Sequence, residues 1–191
     1  MFALSSWGIL LININCVRVF DIKIIIAYSS VAHIGLALIG LISFTKTGVF
    51  SGMFIILTHA FRSSGLFLVA FQLYTQRHSR RLLITKGALS ITPFLSLLWL
   101  LVVLAGMGTP PFSNLFSEIF CFSVIVRVYT PIGSLIFPAV LAASAYSLVI
   151  YSAPTQRAKV WSNSSTKKSN PRLLLNAAAH ARIAVMLTFS V

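Results

Sequence analysis

The sequence predicts an all-α, polytopic membrane protein with about six transmembrane helices, one of them discontinuous. Of its 191 residues, 58% are hydrophobic and only 9% are charged, whereas about 25% of the residues of a typical soluble domain are charged. Several apolar runs of roughly 18 or more residues are long enough to cross a bilayer as helices. The short alternating strands that a membrane β-barrel requires are absent from the sequence.

We predict apolar helices at about 2–18, 22–44, 48–74, 90–128, 131–153 and 174–191. Residues 1–153 then form one helix repeat with five crossings, residues 154–173 a basic polar loop, and residues 174–191 a terminal transmembrane helix. Asp21 has the position and chemistry of an N-cap for the second helix. Gly48 and Gly52 have the spacing of small residues at which two membrane helices pack closely.

The fourth apolar run is too long for one straight crossing. About 38 residues at a rise of 1.5 Å reach about 57 Å, and the helix break Thr109-Pro110-Pro111 interrupts the run. Residues 90–128 are therefore either two full crossings with a tight turn or one discontinuous helix. A break inside a membrane frees backbone polar groups, which is tolerated where they are buried in protein or line a hydrated cavity.

The distribution of basic residues favours the discontinuous helix. With a single crossing at 90–128, the loops on one side hold only Lys46 and Arg127, and the opposite side receives all of the following residues: Arg18, Lys23, Arg77, Arg80, Arg81, Lys86, Arg157, Lys159, Lys167, Lys168 and Arg172. Two crossings would remove this asymmetry, which membrane proteins show as an excess of Lys and Arg on one side. Six crossings follow, with both termini on the less basic side.

Composition excludes several other classes of function. The formal net charge of +13 comes from basic residues scattered between apolar runs, so it indicates membrane topology and no nucleic-acid partner. Cys16 and Cys121 are far apart and have no ligand spacing, which excludes a disulfide framework and predicts no metal site. The sequence has no nucleotide-binding glycine loop and no nucleophile–base arrangement, so we predict no catalytic residues and no redox cofactor on this chain.

Glu118 is the strongest candidate for a functional residue. The chain has two acidic residues, and this one lies in an apolar run directly behind the helix break. A carboxylate at membrane depth usually marks an ion pathway or pairs with a cation. Asn114 lies one helical turn before it and makes the local surface partly polar. We expect Glu118 to load and release protons; the alternatives are a static ion pair and a carboxylate placed near a helix end.

Two histidines are candidates for the same pathway. Ser29 and Ser30 precede His33 by four and three residues and so share its helical face. Arg62 and Ser63 follow His59 at the same spacings, and an arginine at this depth needs a partner or a hydrated cavity. Imidazole titrates near neutrality and can pass protons. The alternative for His33 is a hydrogen bond between packed helices.

Five ordered blocks carry a family resemblance, and they are DIKIIIAYSSVAHIG (21–35), HAFRSSGLF (59–67), YTQRHSR (74–80), TPPFSNLFSEIF (109–120) and AYSLVIY (145–151). Together they resemble the C-terminal half of the subunit 4 family of NADH–ubiquinone oxidoreductase, respiratory complex I. The subunit 5 family is less similar, because it usually has a lysine where this chain has Ser63. The cation/proton antiporters of the same superfamily share these motifs.

The resemblance implies the second half of an antiporter-like fold built from inverted helix repeats. It implies that Glu118, His33 and His59 lie on a polar axis at mid-membrane and take part in proton transfer. Three departures from the family pattern stand out. Ser117 precedes the glutamate where glycine is usual, Arg62 replaces a small or polar residue, and Thr75-Gln76 replaces Glu-Arg.

The resemblance also implies a setting for the chain. We expect a proton-translocating membrane-arm subunit in the mitochondrial inner membrane, with NAD, FMN, iron–sulfur clusters and ubiquinone carried by other subunits. Expected partners are other membrane-arm subunits, a separate chain that supplies the missing N-terminal half, and lipids including cardiolipin. The alternatives are a component of a cation/proton antiporter and a structural remnant without a proton relay.

Overall fold

A computed structural model of the chain describes residues 1–87, 92–110, 112–128, 130–155 and 171–189. Within these ranges the regular structure is helical, and Asp21 and Arg81 add one isolated backbone bridge. The seven helices are α1 (Phe2–Arg18), α2 (Ile22–Ile42), α3 (Lys46–Arg77), α4 (Pro93–Gly106), α5 (Ser113–Val128), α6 (Thr130–Thr155) and α7 (Pro171–Phe189). The prediction of an all-α chain is confirmed for the described residues.

Three of these helices are long and apolar enough to cross a membrane. They are Ile22–Ile42, Lys46–Arg77 and, within α6, Gly133–Thr155. Helices α1 and α4 are apolar but shorter. Large apolar side chains cover much of the outer surface, for example Trp7, Phe71 and Phe137, each more than half exposed. Such a surface matches lipid rather than water.

Local capping chemistry sets the boundaries of α2 and α3. The Asp21 carboxylate accepts a hydrogen bond of 3.0 Å from the backbone N–H of Lys23, which confirms its predicted role as the N-cap of α2. Thr45 caps α3 in the same way by accepting from the N–H of Gly48 at 3.0 Å. Helix α3 therefore begins before the predicted residue 48, and it ends at Arg77 because His78 adopts a left-handed conformation.

Glycines allow α2 and α3 to pack backbone against backbone. A Cβ atom added at Gly52 would lie 2.8 Å from the carbonyl oxygen of Ala37, and one added at Gly40 would lie 2.9 Å from the carbonyl oxygen of Gly48. Both separations are shorter than a van der Waals contact between heavy atoms. The predicted close packing at Gly48 and Gly52 is confirmed.

The predicted apolar helix 90–128 is divided in two. Helix α4 ends at Gly106 and α5 begins at Ser113, with Pro110 in the interruption and Pro111 outside the described residues. At 14 and 16 residues the two helices are about 21 and 24 Å long, shorter than the roughly 30 Å apolar core of a bilayer.

Helices α4 and α5 pack one after the other along α3. Near the end of α4, Val102 lies beside Gly65 of α3, and a side chain at Gly106 would collide with Arg62. At the start of α5, Asn114 contacts Thr58 of α3. The contacts on α3 thus move steadily toward its N-terminus while the chain advances through α4 and into α5. Contacts between α4 and α5 themselves are few.

The ends of α1, α2 and α3 meet at one edge of the bundle. The backbone N–H of Leu82 donates to the carbonyl oxygen of Phe20 at 2.9 Å, and that of Ile22 donates to Arg80 at 3.1 Å. This joins the α1–α2 turn to the segment after α3, so basic residues from both gather at the same end. Residues 156–170, most of the predicted basic loop, lie outside the described residues.

Candidate functional site

The candidate site lies inside the bundle, beside the interruption between α4 and α5. Helix α2 contributes His33, α3 contributes His59 and Arg62, α5 contributes Glu118 and α6 contributes Tyr146. The two histidines, the arginine and the tyrosine are each less than 9% exposed. The sequence contains two acidic residues, and the other one caps a helix at the bundle edge, so Glu118 is the acidic residue of this site.

His33 stands between Arg62 and Glu118. Its Nε2 atom lies 2.7 Å from Nη1 of Arg62, and its Nδ1 atom lies 3.6 Å from Oε1 of Glu118. A guanidinium group donates hydrogen bonds and accepts none, so Nε2 is the acceptor and carries no proton. The ring is therefore neutral, with its proton on Nδ1 facing the carboxylate. This tautomer is assigned from the arginine contact.

A second hydrogen-bonded chain approaches Glu118 from α3. The side-chain amide of Asn114 donates to Oε1 of Glu118 at 2.6 Å. The hydroxyl of Thr58 donates to Oδ1 of the same Asn114 at 3.3 Å. Asn114 precedes Glu118 by four residues on α5, the spacing at which two side chains share a helical face. The amide thus orients the carboxylate oxygen that faces His33.

His59 extends the site along α3. Its ring stacks on that of His33, with 5.2 Å between the centroids and 29° between the planes. Neither ring nitrogen of His59 has a hydrogen-bond partner among the described residues. Buried polar nitrogens are seldom left in this state. A water molecule is the usual partner for a buried polar group in this position.

A small cavity borders the site. Its volume is about 30 Å³, and polar side chains of Asn13, His33, Glu118, Ser144 and Tyr146 contribute to its wall. About 10–15 Å³ of such volume holds one water molecule, provided that polar partners are available. The cavity therefore has room and chemistry for one or two water molecules beside the carboxylate.

Two glycines at the interruption make the geometry possible. A side chain at Gly106 would occupy the position of the Arg62 guanidinium, with the added Cβ only 2.9 Å from Nη2. Gly108 has a φ of 62°, and a Cβ added there would lie 2.8 Å from Oε2 of Glu118. At the two positions where the charged groups approach the backbone, glycine therefore has no side chain that would collide with them.

Arg62 is held by more than one group. Besides its bond to His33, the guanidinium interacts with the Tyr146 hydroxyl and senses the charge of Glu118. Within the described ranges, its Nε atom has no hydrogen-bond partner. It lies at the C-terminal end of α4, where the helix dipole favours a cation. These contacts are what allow an arginine to be buried at this depth.

The structure brings some predicted residues together and separates others. Glu118, His33, His59, Arg62 and Asn114 form the contiguous cluster described above. The three predicted serines turn away from it to backbone carbonyls of their own helices: Ser29 and Ser30 donate to Ile26, and Ser63 donates to Ala60. Ser29 is buried all the same.

Several residues of the site escaped the sequence analysis. Thr58 and Asn13 are isolated polar residues in apolar helices, and that was the only available signal for them. Tyr146 lies in the AYSLVIY block, where a buried hydroxyl was not foreseen. Gly106 and Gly108 directly precede the proline pair, and two glycines at a break were a readable sign of a close approach by side chains.

The arrangement brings together side chains whose chemistry suits proton exchange. It combines two buried imidazoles, a carboxylate whose side chain is 16% exposed, and a cavity large enough for water. The described ranges contain no cluster of three or more His, Cys, Asp or Glu side chains able to hold a metal ion. Cys16 and Cys121 are both buried and unpaired.

These features define a membrane protein of antiporter-like fold. The chain belongs to the NADH:quinone oxidoreductase/Mrp antiporter transmembrane family, whose profile matches residues 1–143. It is 34% identical over 177 residues to NADH-ubiquinone oxidoreductase chain 4 of Porthidium nasutum, an alignment that covers 93% of this chain and 76% of that relative. The resemblance to the subunit 4 family is therefore confirmed.

Solved structures show the same fold. A chain in respiratory complex I of Thermus thermophilus superposes with a TM-score of 0.84 at 23% identity, over 99% of this chain and 41% of that one. A chain of the Mrp complex of Dietzia sp. DQ12-45-1b gives 0.87 at 16% identity, over 99% and 43%. The present chain thus spans less than half the length of either. At these identities the likeness establishes the fold alone.

Proposed function

We propose that this chain is a proton-translocating membrane-arm subunit of a respiratory complex I. In this role Glu118, His33 and His59 pass protons along a polar axis at mid-membrane, and electron transfer elsewhere in the complex drives the changes in protonation. The electron carriers NAD, FMN, iron–sulfur clusters and ubiquinone belong to other subunits. Membership of the family and the chain 4 relatives support this assignment.

One observation carries the proposal. A histidine ring nitrogen that bears a proton lies 3.6 Å from the carboxylate of Glu118, beside a cavity with room for water. Proton transfer needs groups within about 2.6–3.2 Å of each other or bridged by one water molecule. A small rotation of either side chain would bring this pair into direct reach, and a wider separation would admit a bridging water molecule from the cavity. The alternative, a structural remnant without a relay, predicts that Glu118 has no cationic partner and no water nearby.

The test is proton pumping by Glu118→Gln, with assembly of the complex and electron transfer measured separately. The amide keeps the size of the side chain and removes its proton exchange. We expect an assembled complex with a reduced number of protons moved per NADH oxidised. Asp21→Asn is the matched control, because it neutralises the other acidic residue while keeping a helix cap. Normal pumping by assembled Glu118→Gln would remove the proposed role.

We also propose six membrane crossings, with α4 and α5 forming one discontinuous helix. The short lengths of the two helices and their successive contacts along α3 support a single crossing. Labelling of single cysteines introduced at Lys46 and at Arg80 from each side of the membrane tests this topology. Lys46 should react from one side and Arg80 from the other, together with a cysteine placed at Arg172.

The cation/proton antiporter is the second candidate, because the family description includes Mrp antiporters and the fold matches a chain of an Mrp complex. Sodium-dependent proton transport by membranes that contain this chain but lack NADH dehydrogenase activity would favour it. Proton transport that requires NADH oxidation favours the complex I subunit.

The remaining proposals concern the surroundings of the chain. Relatives named NADH-ubiquinone oxidoreductase chain 4 support the mitochondrial inner membrane and neighbours in a membrane arm. A separate chain that supplies the other half of the fold stays a prediction; crosslinking from α1 in the intact complex would identify the polypeptide beside it. For an anionic lipid such as cardiolipin, the best place is a groove of about 380 Å³ that combines apolar Phe67 and Phe71 with basic Lys23 and Arg80.

A further inference from the structure

Arg62 donates a hydrogen bond to the ring nitrogen through which His33 would have to receive a proton. Its Nη1 donates to Nε2 of His33 at 2.7 Å, and both side chains are buried. Besides Arg62, the titratable groups around this ring are His59 on α3, Glu118 on α5 and Tyr146 on α6. Arg62 is the cation among them, and it has no proton to exchange at physiological pH.

The proton balance at His33 explains why this contact matters. For a proton to pass to Glu118, the Nδ1–H bond must break and an O–H bond must form on the carboxylate. The neutral ring would then become an imidazolate, unless Nε2 has first accepted a proton and made the ring an imidazolium. While Nη1 of Arg62 holds the Nε2 lone pair, that first step is blocked. The transfer therefore requires the guanidinium to leave Nε2.

We propose that Arg62 is a positioning residue that closes the proton path between His33 and Glu118 until its guanidinium releases Nε2. This inference rests on the proposed proton-translocating function. When the guanidinium withdraws, Nε2 accepts a proton from the side of His59, and Nδ1 gives its own proton to the carboxylate. After this transfer the ring is neutral with its proton on Nε2, so it must first exchange back to the Nδ1–H tautomer, losing the Nε2 proton to cavity water and gaining one at Nδ1. The guanidinium can then return to the Nε2 lone pair, and the path is closed. Arg62 thereby prevents passive back-flow of protons through this part of the axis.

The position of the guanidinium supports this role. The added Cβ at position 106 would collide with the guanidinium, so only glycine leaves it room beside the end of α4. The bond to His33, the Tyr146 hydroxyl and the end of α4 hold the charge in one place. A group fixed on three sides, with a single contact that blocks transfer, has the geometry of a gate.

The experiment measures passive proton conductance of the purified complex in proteoliposomes without NADH. Arg62→Met keeps the length of the side chain but removes its charge and donors, and we expect conductance to rise about tenfold, the factor that corresponds to losing a hydrogen bond to a charged group. Arg62→Lys keeps a charged donor and should stay close to the natural protein. Gly106→Ala displaces the guanidinium and should leak like Arg62→Met, whereas Gly8→Ala, where a Cβ meets nothing within 4 Å, should not.

The double variant Arg62→Met/Glu118→Gln separates a gate from general damage. Leakage that disappears in the double variant runs through Glu118 and supports the proposal. Leakage that persists, unchanged conductance in Arg62→Met, or failure of both Arg62→Met and Gly106→Ala to assemble would overturn it. The proposed function fails separately, through normal pumping by Glu118→Gln alone.

Discussion

Gly108→Ala tests whether the position of the Glu118 carboxylate matters. Gly108 has a φ of 62°, a conformation that costs an L-residue about 1–2 kcal/mol. The added Cβ would lie 2.8 Å from Oε2 of Glu118. Restoring a van der Waals contact of about 3.5 Å requires the carboxylate or the backbone to move by about 0.7 Å.

The displacement should weaken transfer more than it weakens the fold. A misplacement of about 1 Å at a reacting group can cost a hundredfold in rate, so 0.7 Å corresponds to about tenfold or more. We expect the assembled variant to oxidise NADH normally at low proton back-pressure but to move fewer protons per NADH. The proton-to-electron ratio of purified complex in proteoliposomes measures this, together with its thermal stability.

Gly8→Ala is the matched control, since its new Cβ meets nothing within 4 Å and should change neither quantity. The reasoning fails if Gly108→Ala loses stability but pumps with the natural ratio. That result would show that the carboxylate can move by most of an ångström without consequence, and the contact with His33 would then have no part in transfer.

Three further predictions follow from the fold. Asp21→Ala should lower the stability of the subunit by about 1 kcal/mol through loss of the α2 cap, whereas Asp21→Asn should not, as judged by the thermal midpoint of the complex. Gly52→Val should reduce assembly on native gels, because its Cβ would lie 2.8 Å from a backbone carbonyl of α2; equal assembly would show that the two helices can separate. The double variant Lys23→Ala/Arg80→Ala, which removes both basic side chains of the groove at Phe67 and Phe71, should retain less anionic phospholipid after purification than Lys46→Ala. Equal lipid content in the two variants would exclude this groove as a lipid-binding site.

The sequence was most informative where one residue had a single physical reason to be present. A carboxylate behind a proline pair in an apolar run predicted a functional residue at a helix break, and Glu118 lies beside that break. Asp21 predicted a cap because a carboxylate before a helix has few other uses. Gly48 and Gly52 predicted close packing because their spacing places both on one face.

Side-chain direction within a face was harder to predict. Ser29 and Ser30 share a face with His33 by spacing, yet their hydroxyls bond to a carbonyl of their own helix. A serine hydroxyl in a helix can donate a hydrogen bond to a carbonyl of the preceding turn, and the sequence does not show whether it does so. Arg62 shows the opposite case. It reaches across to another helix, and the partner it finds depends on how α2 and α3 are rotated.

The break between α4 and α5 lies beside both charged residues of the site, Glu118 and Arg62. A continuous helix would present neither terminus at mid-membrane. Here the C-terminal end of α4, which carries a partial negative charge, lies beside the Arg62 guanidinium. The N-terminal turn of α5, which carries a partial positive charge, lies one turn before Glu118. The Arg62 guanidinium thus lies near a helix end of opposite sign, whereas Glu118 lies beyond the first turn of α5 and is held by the Asn114 amide.

The guanidinium is stabilised by the end of α4 and the carboxylate by the Asn114 amide, and the two do not pair directly with each other. His33 lies between them: its ring is 2.7 Å from the guanidinium and 3.6 Å from the carboxylate. Had Arg62 paired directly with Glu118, the carboxylate would have been fixed as an anion and lost to proton exchange. The break keeps the two charges apart by the width of one imidazole, and that separation is what leaves room for a titratable group between them.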